Sequence, residues 1–149
     1  MKYLFTALSF VFAITTSSCQ ESANKKMIAN SDAPEVVVLA FQKKYPKESD
    51  PDFQMDAHGY WEAHFKKKGE KYRADFHADG RWIETENSIK VSELPQVIQD
   101  KINTIYAFYE ISEVEHVMSA SKGEFYDVEF KQKGKNKDIE FRKDGTVIE

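Results

Sequence analysis

The chain has 149 residues, with 21 basic against 25 acidic side chains and a formal net charge of −4. That balance lacks the basic footprint that nucleic-acid binding needs, and no basic cluster outside the hairpin turns suggests a docking site for anionic lipid. A single cysteine excludes a disulfide framework within the chain, so the core must rest on packing alone.

The first element is a targeting segment. Lys2 supplies a minimal positive start, Tyr3 to Ile14 is almost wholly apolar, and Thr15 to Ser18 is a run of small residues. The apolar run is too short to span a bilayer, and the pattern predicts a secretory signal over residues 1–18. Cys19 follows, where a lipoprotein signal peptidase would cut and acylate. The alternative is an ordinary secretory signal with an incidental thiol. No A-x-A site supports that alternative, and an unpaired cysteine is a liability in an oxidising compartment. Thr16 departs from the usual leucine three positions before the cysteine. The expectation is a lipidated Cys19 in the cell envelope, with the membrane reached through the lipid anchor only. Residues 19–30 are polar and aperiodic, which reads as a flexible tether.

Residues 31–149 hold the fold, read as two repeats over 31–88 and 89–149. Ser31-Asp32 precedes Pro34, and Ser92 precedes Pro95; each pair reads as a cap followed by a proline in the first helical turn. Val37, Phe41 and Tyr45 recur at helical spacing, and Ile98, Ile102 and Tyr106 match them. Pro46 stops the first helix. Phe53 and Met55, and the stretch from Val114 to Met118, read as leading strands.

Residues 60–84 then superpose on residues 125–149 without a gap. Trp61, Ala63 and Phe65 alternate with Tyr60, Glu62 and His64, the period of a half-buried strand. Lys68-Gly69 and Asp79-Gly80 read as two-residue hairpin turns. That register sets Phe65 opposite Tyr72, Ala63 opposite Ala74, and Trp61 opposite Phe76, with Phe76 in turn opposite Ile83. In the second copy it pairs Phe130 with Lys137, Val128 with Ile139, and Tyr126 with Phe141 and Ile148. The predicted fold class is α+β: two tandem α-β-β-β repeats, each a helix on one face of an antiparallel sheet.

These residues together carry a resemblance. A lipobox-like start and two copies of a proline-led helix, an alternating hairpin and a closing D-G-x-x-I-E strand resemble the β-lactamase-inhibitor-like, PepSY-like family. The resemblance covers residues 31–149 and implies an envelope protein of unknown function from a Gram-negative bacterium. Its motifs are turns and core positions, so they speak to fold rather than to chemistry.

Few residues suggest a reaction. Asp75, His77 and Asp79 could imitate a metal site, but the second copy has Glu140, Arg142 and Asp144 there, and Asp79 belongs to a turn. A solvated strand face explains them better. His58, His64 and His116 have no ligand spacing, and no nucleophile elbow or phosphate-binding loop occurs. No cofactor, metal or catalytic residue is expected.

The outward rows Glu62–Asp75–Glu84 and Asp127–Glu140–Glu149 set like charges side by side, which weakens a sheet unless cations answer them. Beside the first row the register places Tyr60, His77 and Trp82, the kind of side chains on which proteins dock. The leading reading is a non-catalytic protein binding an unidentified protein or peptide in the envelope through Tyr60, His77, Trp82, Glu62, Asp75 and Glu84, with Trp82 as anchor. A cation-binding or sensor module using the acidic rows is the alternative, and a small hydrolase comes last.

Overall fold

The computed structural model describes Lys25 and residues 31–148. Cys19, residues 1–18, the rest of the tether and Glu149 lie outside the described residues.

Helix α1 spans Glu35–Lys44 and is followed by strands β1 (Asp52–Met55), β2 (Trp61–Lys67), β3 (Glu70–Phe76) and β4 (Trp82–Ser88). A 3₁₀ turn over Val91–Glu93 leads to helix α2 (Gln96–Ile105) and strands β5 (Ile111–Ser119), β6 (Gly123–Phe130), β7 (Lys137–Phe141) and β8 (Val147–Ile148). Four strands thus follow each helix, the leading strand plus the three of the copied segment. All eight form one antiparallel sheet in sequence order.

The prolines sit one step earlier than a first-turn position. Pro34 and Pro95 are themselves the N-caps, and neither helix has a side-chain cap. The Pro34 carbonyl accepts from Val37 and Val38, and the Pro95 carbonyl from Ile98 and Gln99. A proline loses nothing there, because no N–H is required before the first helical bond. Ser31 instead accepts the Ala33 N–H, and Ser92 lies in the 3₁₀ turn. Tyr45 closes α1 by donating to the Phe41 carbonyl at 2.8 Å, and Pro46 has no N–H to continue the ladder.

Each helix seeds one half of the core. Val37 and Phe41 of α1 pack with Trp61, Ala63, Phe65, Ala74 and Phe76. Phe41 lies at the centre of an aromatic cluster, its ring 5.1 Å from Phe65 and 5.7 Å from Phe53. Ile98 and Ile102 of α2 pack with Val114, Tyr126, Val128, Phe130, Ile139 and Phe141. Burying each of these large side chains contributes ~2–3 kcal/mol. Thr85 of the first half pairs with Met118, and His116 with Tyr126 of the second. Paired residues point to the same face, so both helices lie on one side of the sheet and the other side faces away from both.

The predicted register holds from β2 to β3 and from β6 to β7. Phe65 pairs with Tyr72, Ala63 with Ala74, Trp61 with Phe76, Phe130 with Lys137, and Tyr126 with Phe141. It fails at the closing strands. Phe76 pairs with Trp82 rather than Ile83, and Phe141 with Val147 rather than Ile148. The reason is the turn. His77 N–H donates to the Arg81 carbonyl, so the loop is the three residues Ala78-Asp79-Gly80, with Gly80 at φ +83°. In the first half a bulge at Ile83 then restores the expected register, and Asp75 pairs with Glu84.

Candidate sheet-face site

The site is built from strand residues that point away from the helices. Crossing the sheet, Glu62 pairs with Asp75 and Asp75 with Glu84, the acidic row expected from the sequence. The expected Asp127–Glu140 pair also forms, and the register extends it with Glu115 and adds a third row. Glu115 pairs with Asp127 and Asp127 with Glu140, while Glu113 pairs with Glu129 and Glu129 with Asp138. Glu140 pairs onward with Ile148, which replaces the expected Glu140–Glu149 neighbour. Three triplets of directly opposed carboxylates therefore cross one face. Sequence reasoning missed Glu86, Glu113 and Glu115, although the β5 alternation Glu113-Val114-Glu115 was there to be read.

Arg73 is the cation of the first acidic row, and Lys122 pairs with Glu140 in the second. Arg73 Nη2 lies 2.5 Å from Glu86 Oε1, its Nε 3.4 Å from Asp75 Oδ1, and its Nη1 3.9 Å from Glu62 Oε1. Desolvation alone would lower the guanidinium's affinity for its proton, but Glu86, Asp75, Glu62 and Glu115 together raise it. The Asp75 approach is close without being aligned, and both Arg73 Nε and Asp75 Oδ1 are left without a hydrogen bond. Asp127 Oδ1 and Glu140 Oε2 are likewise buried acceptors with no donor.

These environments push carboxyls of the face up in pKa. Burial first, then Glu62 and Glu84, pushes the Asp75 carboxyl up to about 6 against the pull of Arg73. Burial, Asp138 and Glu140 push Asp127 up to about 6 as well. Glu86 and Glu115, diagonal neighbours on β4 and β5, are both raised, by burial and by carboxylates beside them. The Glu86 carboxylate still answers Arg73, so one proton between the two glutamates relieves the repulsion.

The expected residues divide into three groups. Glu62, Asp75 and Glu84 are brought together. Tyr60 and His77 meet edge to face with ring centroids 5.2 Å apart, at the end of the acidic row. Trp82 does not join them, which corrects its expected placement. Its pairing with Phe76 turns it to the helix side, where it packs on the first core cluster. There its Nε1–H donates to Thr85 Oγ1 at 2.9 Å, and the Lys44 ammonium lies 3.3 Å from the ring centroid.

The Asp75, His77, Asp79 run forms no metal site: Asp79 is taken by the Arg81 side chain at 2.8 Å and by its own turn. Among the described residues no three His, Cys, Asp or Glu side chains are grouped to hold a metal ion. The face is a surface of hydrogen-bond acceptors, suited to receive ammonium or guanidinium groups.

Residues 59–149 match the family described as "Putative beta-lactamase-inhibitor-like, PepSY-like", and the chain belongs to that family. Solved structures share the fold. A BLIP-like protein from Bacteroides fragilis NCTC 9343 is 18% identical, with a TM-score of 0.68 over 82% of this chain and 87% of that one. A DUF2874 family protein from Bacteroides ovatus ATCC 8483 is 19% identical, with a TM-score of 0.69 over 80% and 87%. A protein from Bacteroides eggerthii DSM 20697 described among "putative periplasmic proteins" is 20% identical, with a TM-score of 0.67 over 78% and 86%. No curated protein matches the chain.

Proposed function

We propose that this chain is a non-catalytic cell-envelope protein, exported and held at a membrane by a lipid on Cys19, whose open sheet face docks a basic protein or peptide segment. The observation that carries the reading is the set of three opposed carboxylate triplets on a face that neither helix covers, with buried oxygens of Asp75, Asp127 and Glu140 lacking donors. Unpaired acceptors and repelling carboxylates are costly in the free protein, and arriving cations relieve both. Tyr60 and His77 form the aromatic edge of the docking surface, beside Glu62, Asp75 and Glu84. The inhibitor-like description of the family supports binding rather than turnover. The periplasmic description of a structural neighbour and the apolar run before Cys19 support export. In this reading residues 1–18 are removed, 19–30 tether, and the repeats 31–88 and 89–149 each contribute four strands to one continuous face.

The test is crosslinking in cells through a photoreactive residue at Glu84, with one at Val97 on α2 as control. A discrete crosslinked species from Glu84 and not from Val97, lost on Glu62→Lys together with Asp127→Lys, is the expected result. Equal capture from both positions, or capture indifferent to the charge reversals, sinks the sheet-face reading.

A further inference from the structure

The helix-bearing side of the sheet carries a second feature, opposite in charge to the docking face. Helix α1 covers β2 and β3, and helix α2 covers β6, β7 and the Ile111–Val114 end of β5, which leaves a seam along β4 and the His116–Met118 end of β5. A cleft of about 300 Å³ opens there against the C-terminal end of α1. We propose that this cleft is a binding site for a small organic anion with a flat apolar body.

The walls supply the apolar part. Trp82, Tyr72 and Tyr45 line the cleft, and Met118, 43% exposed, sits beside them. Trp82 is held in place, because Thr85 Oγ1 accepts its indole N–H while also bonding the Tyr45 hydroxyl. With Lys44 over its ring, this fixed aromatic wall offers an edge rather than a face to a planar group, at little cost in side-chain entropy.

The cations supply the charge. Lys44 stands over Trp82, and the Lys67 ammonium lies 5.4 Å from the Tyr72 ring centroid. Neither lysine forms an ion pair among the described residues, although acidic side chains outnumber basic ones in the chain. Desolvation in addition holds the Lys44 ammonium below its ordinary proton affinity, which an anion placed beside it would reverse.

Asn87 supplies a neutral polar contact. It is only 8% exposed and it lines the cleft. Across the strand His116 is oriented by Glu124, its Nε2 2.8 Å from Oε1. Ring edges, two ammonium groups without a carboxylate partner and a buried amide thus converge on one small volume, the arrangement that fixes a ligand's body and its charged end separately.

The experiment uses the full chain labelled with ¹³C at its methionine methyls and titrated with 2-naphthalenesulfonate. The Met118 methyl should shift saturably while that of Met55, on strand β1, stays still. The neutral 2-naphthalenesulfonamide should bind about tenfold more weakly or worse, and so should the acid to a Lys44→Gln, Lys67→Gln double variant. Met118→Glu, which sets a carboxylate in the cleft, should abolish binding and keeps the test valid if the double variant is unstable. A Met118 signal that does not move, or equal affinity for the sulfonamide, overturns the proposal, as does affinity unchanged by both variants. The Glu84 crosslink is read on the opposite face, so the two proposals fail separately.

Discussion

At the residue scale, inward and outward positions answer to different physics. Phe41, Phe76, Phe130 and Phe141 are fully buried, and no neighbouring chain can collapse far enough to fill the volume of one of them. Phe76→Ala and Phe141→Ala should each cost ~3–5 kcal/mol in denaturant unfolding. A loss below about 1 kcal/mol at both would place them on the surface, against the packing described. Trp82 belongs with this group rather than with Tyr60 and His77. Trp82→Ala removes packing on the first core cluster and frees Thr85 of a donor, so it should destabilise by ~2 kcal/mol. A melt indistinguishable from the parent protein would return Trp82 to the list of solvent-facing anchors.

At the element scale, the closing hairpin turns join sheet to helix. Gly80 approaches the first turn of α1 so closely that a Cβ would stand 2.9 Å from the Val36 carbonyl oxygen. Gly145 does the same to α2, where a Cβ would meet Val97 Cγ2 at 3.0 Å and where the Gly145 carbonyl accepts from the Lys101 ammonium. The first hairpin turn has no such neighbour: a Cβ on Gly69 meets nothing within 4 Å. Both glycines need positive φ, so Gly69→Ala should cost ~1 kcal/mol for the backbone alone. Gly80→Ala adds a clash with backbone and should cost more than ~2 kcal/mol. Equal losses in thermal or urea melts would show that the turn's conformation, and not its contact with α1, sets its composition.

At the scale of the whole molecule, the carboxylate face makes stability depend on pH in an unusual direction. Asp75 and Asp127 are raised to about 6 in the folded chain, so between the ordinary aspartate range and that value the folded state binds more protons than the unfolded one. Their contribution is fully present below about pH 4 and is lost as pH rises through about 6. Asp56, Asp79 and Asp144 act in the other sense, since hydrogen bonds lower them; what they contribute is lost only on strong acidification. The melting temperature should therefore be higher at about pH 5 than at about pH 7.5. A flat or falling profile on acidification across that window contradicts the burial of these carboxyls. A basic partner on the face should abolish the difference, because it offsets the same repulsion at neutral pH. The anchor is tested separately: Cys19→Ser should leave the membrane fraction and lose label from a fed fatty acid. Membrane partitioning unchanged in the variant, with no label in the parent chain, refutes lipidation.

The sequence by itself determined the helices, the strand faces and the first acidic row. Those rest on local periodicity and on turns such as Lys68-Gly69, where Lys67 pairs with Glu70 as a two-residue loop requires. It also carried enough of the family's core and turn pattern for the resemblance to be recognised. Only the tertiary structure decided the closing strands. Asp-Gly serves both two- and three-residue loops, and the one-residue difference moves Trp82 from the outer face to the helix side. The β4–β5 pairing that joins the halves is a long-range choice with no local signal, and it alone brings Glu86 beside Glu115 and opens the seam. Burial of the carboxyls and the unpaired state of Lys44 and Lys67 follow from that assembly, because both depend on which distant strands become neighbours.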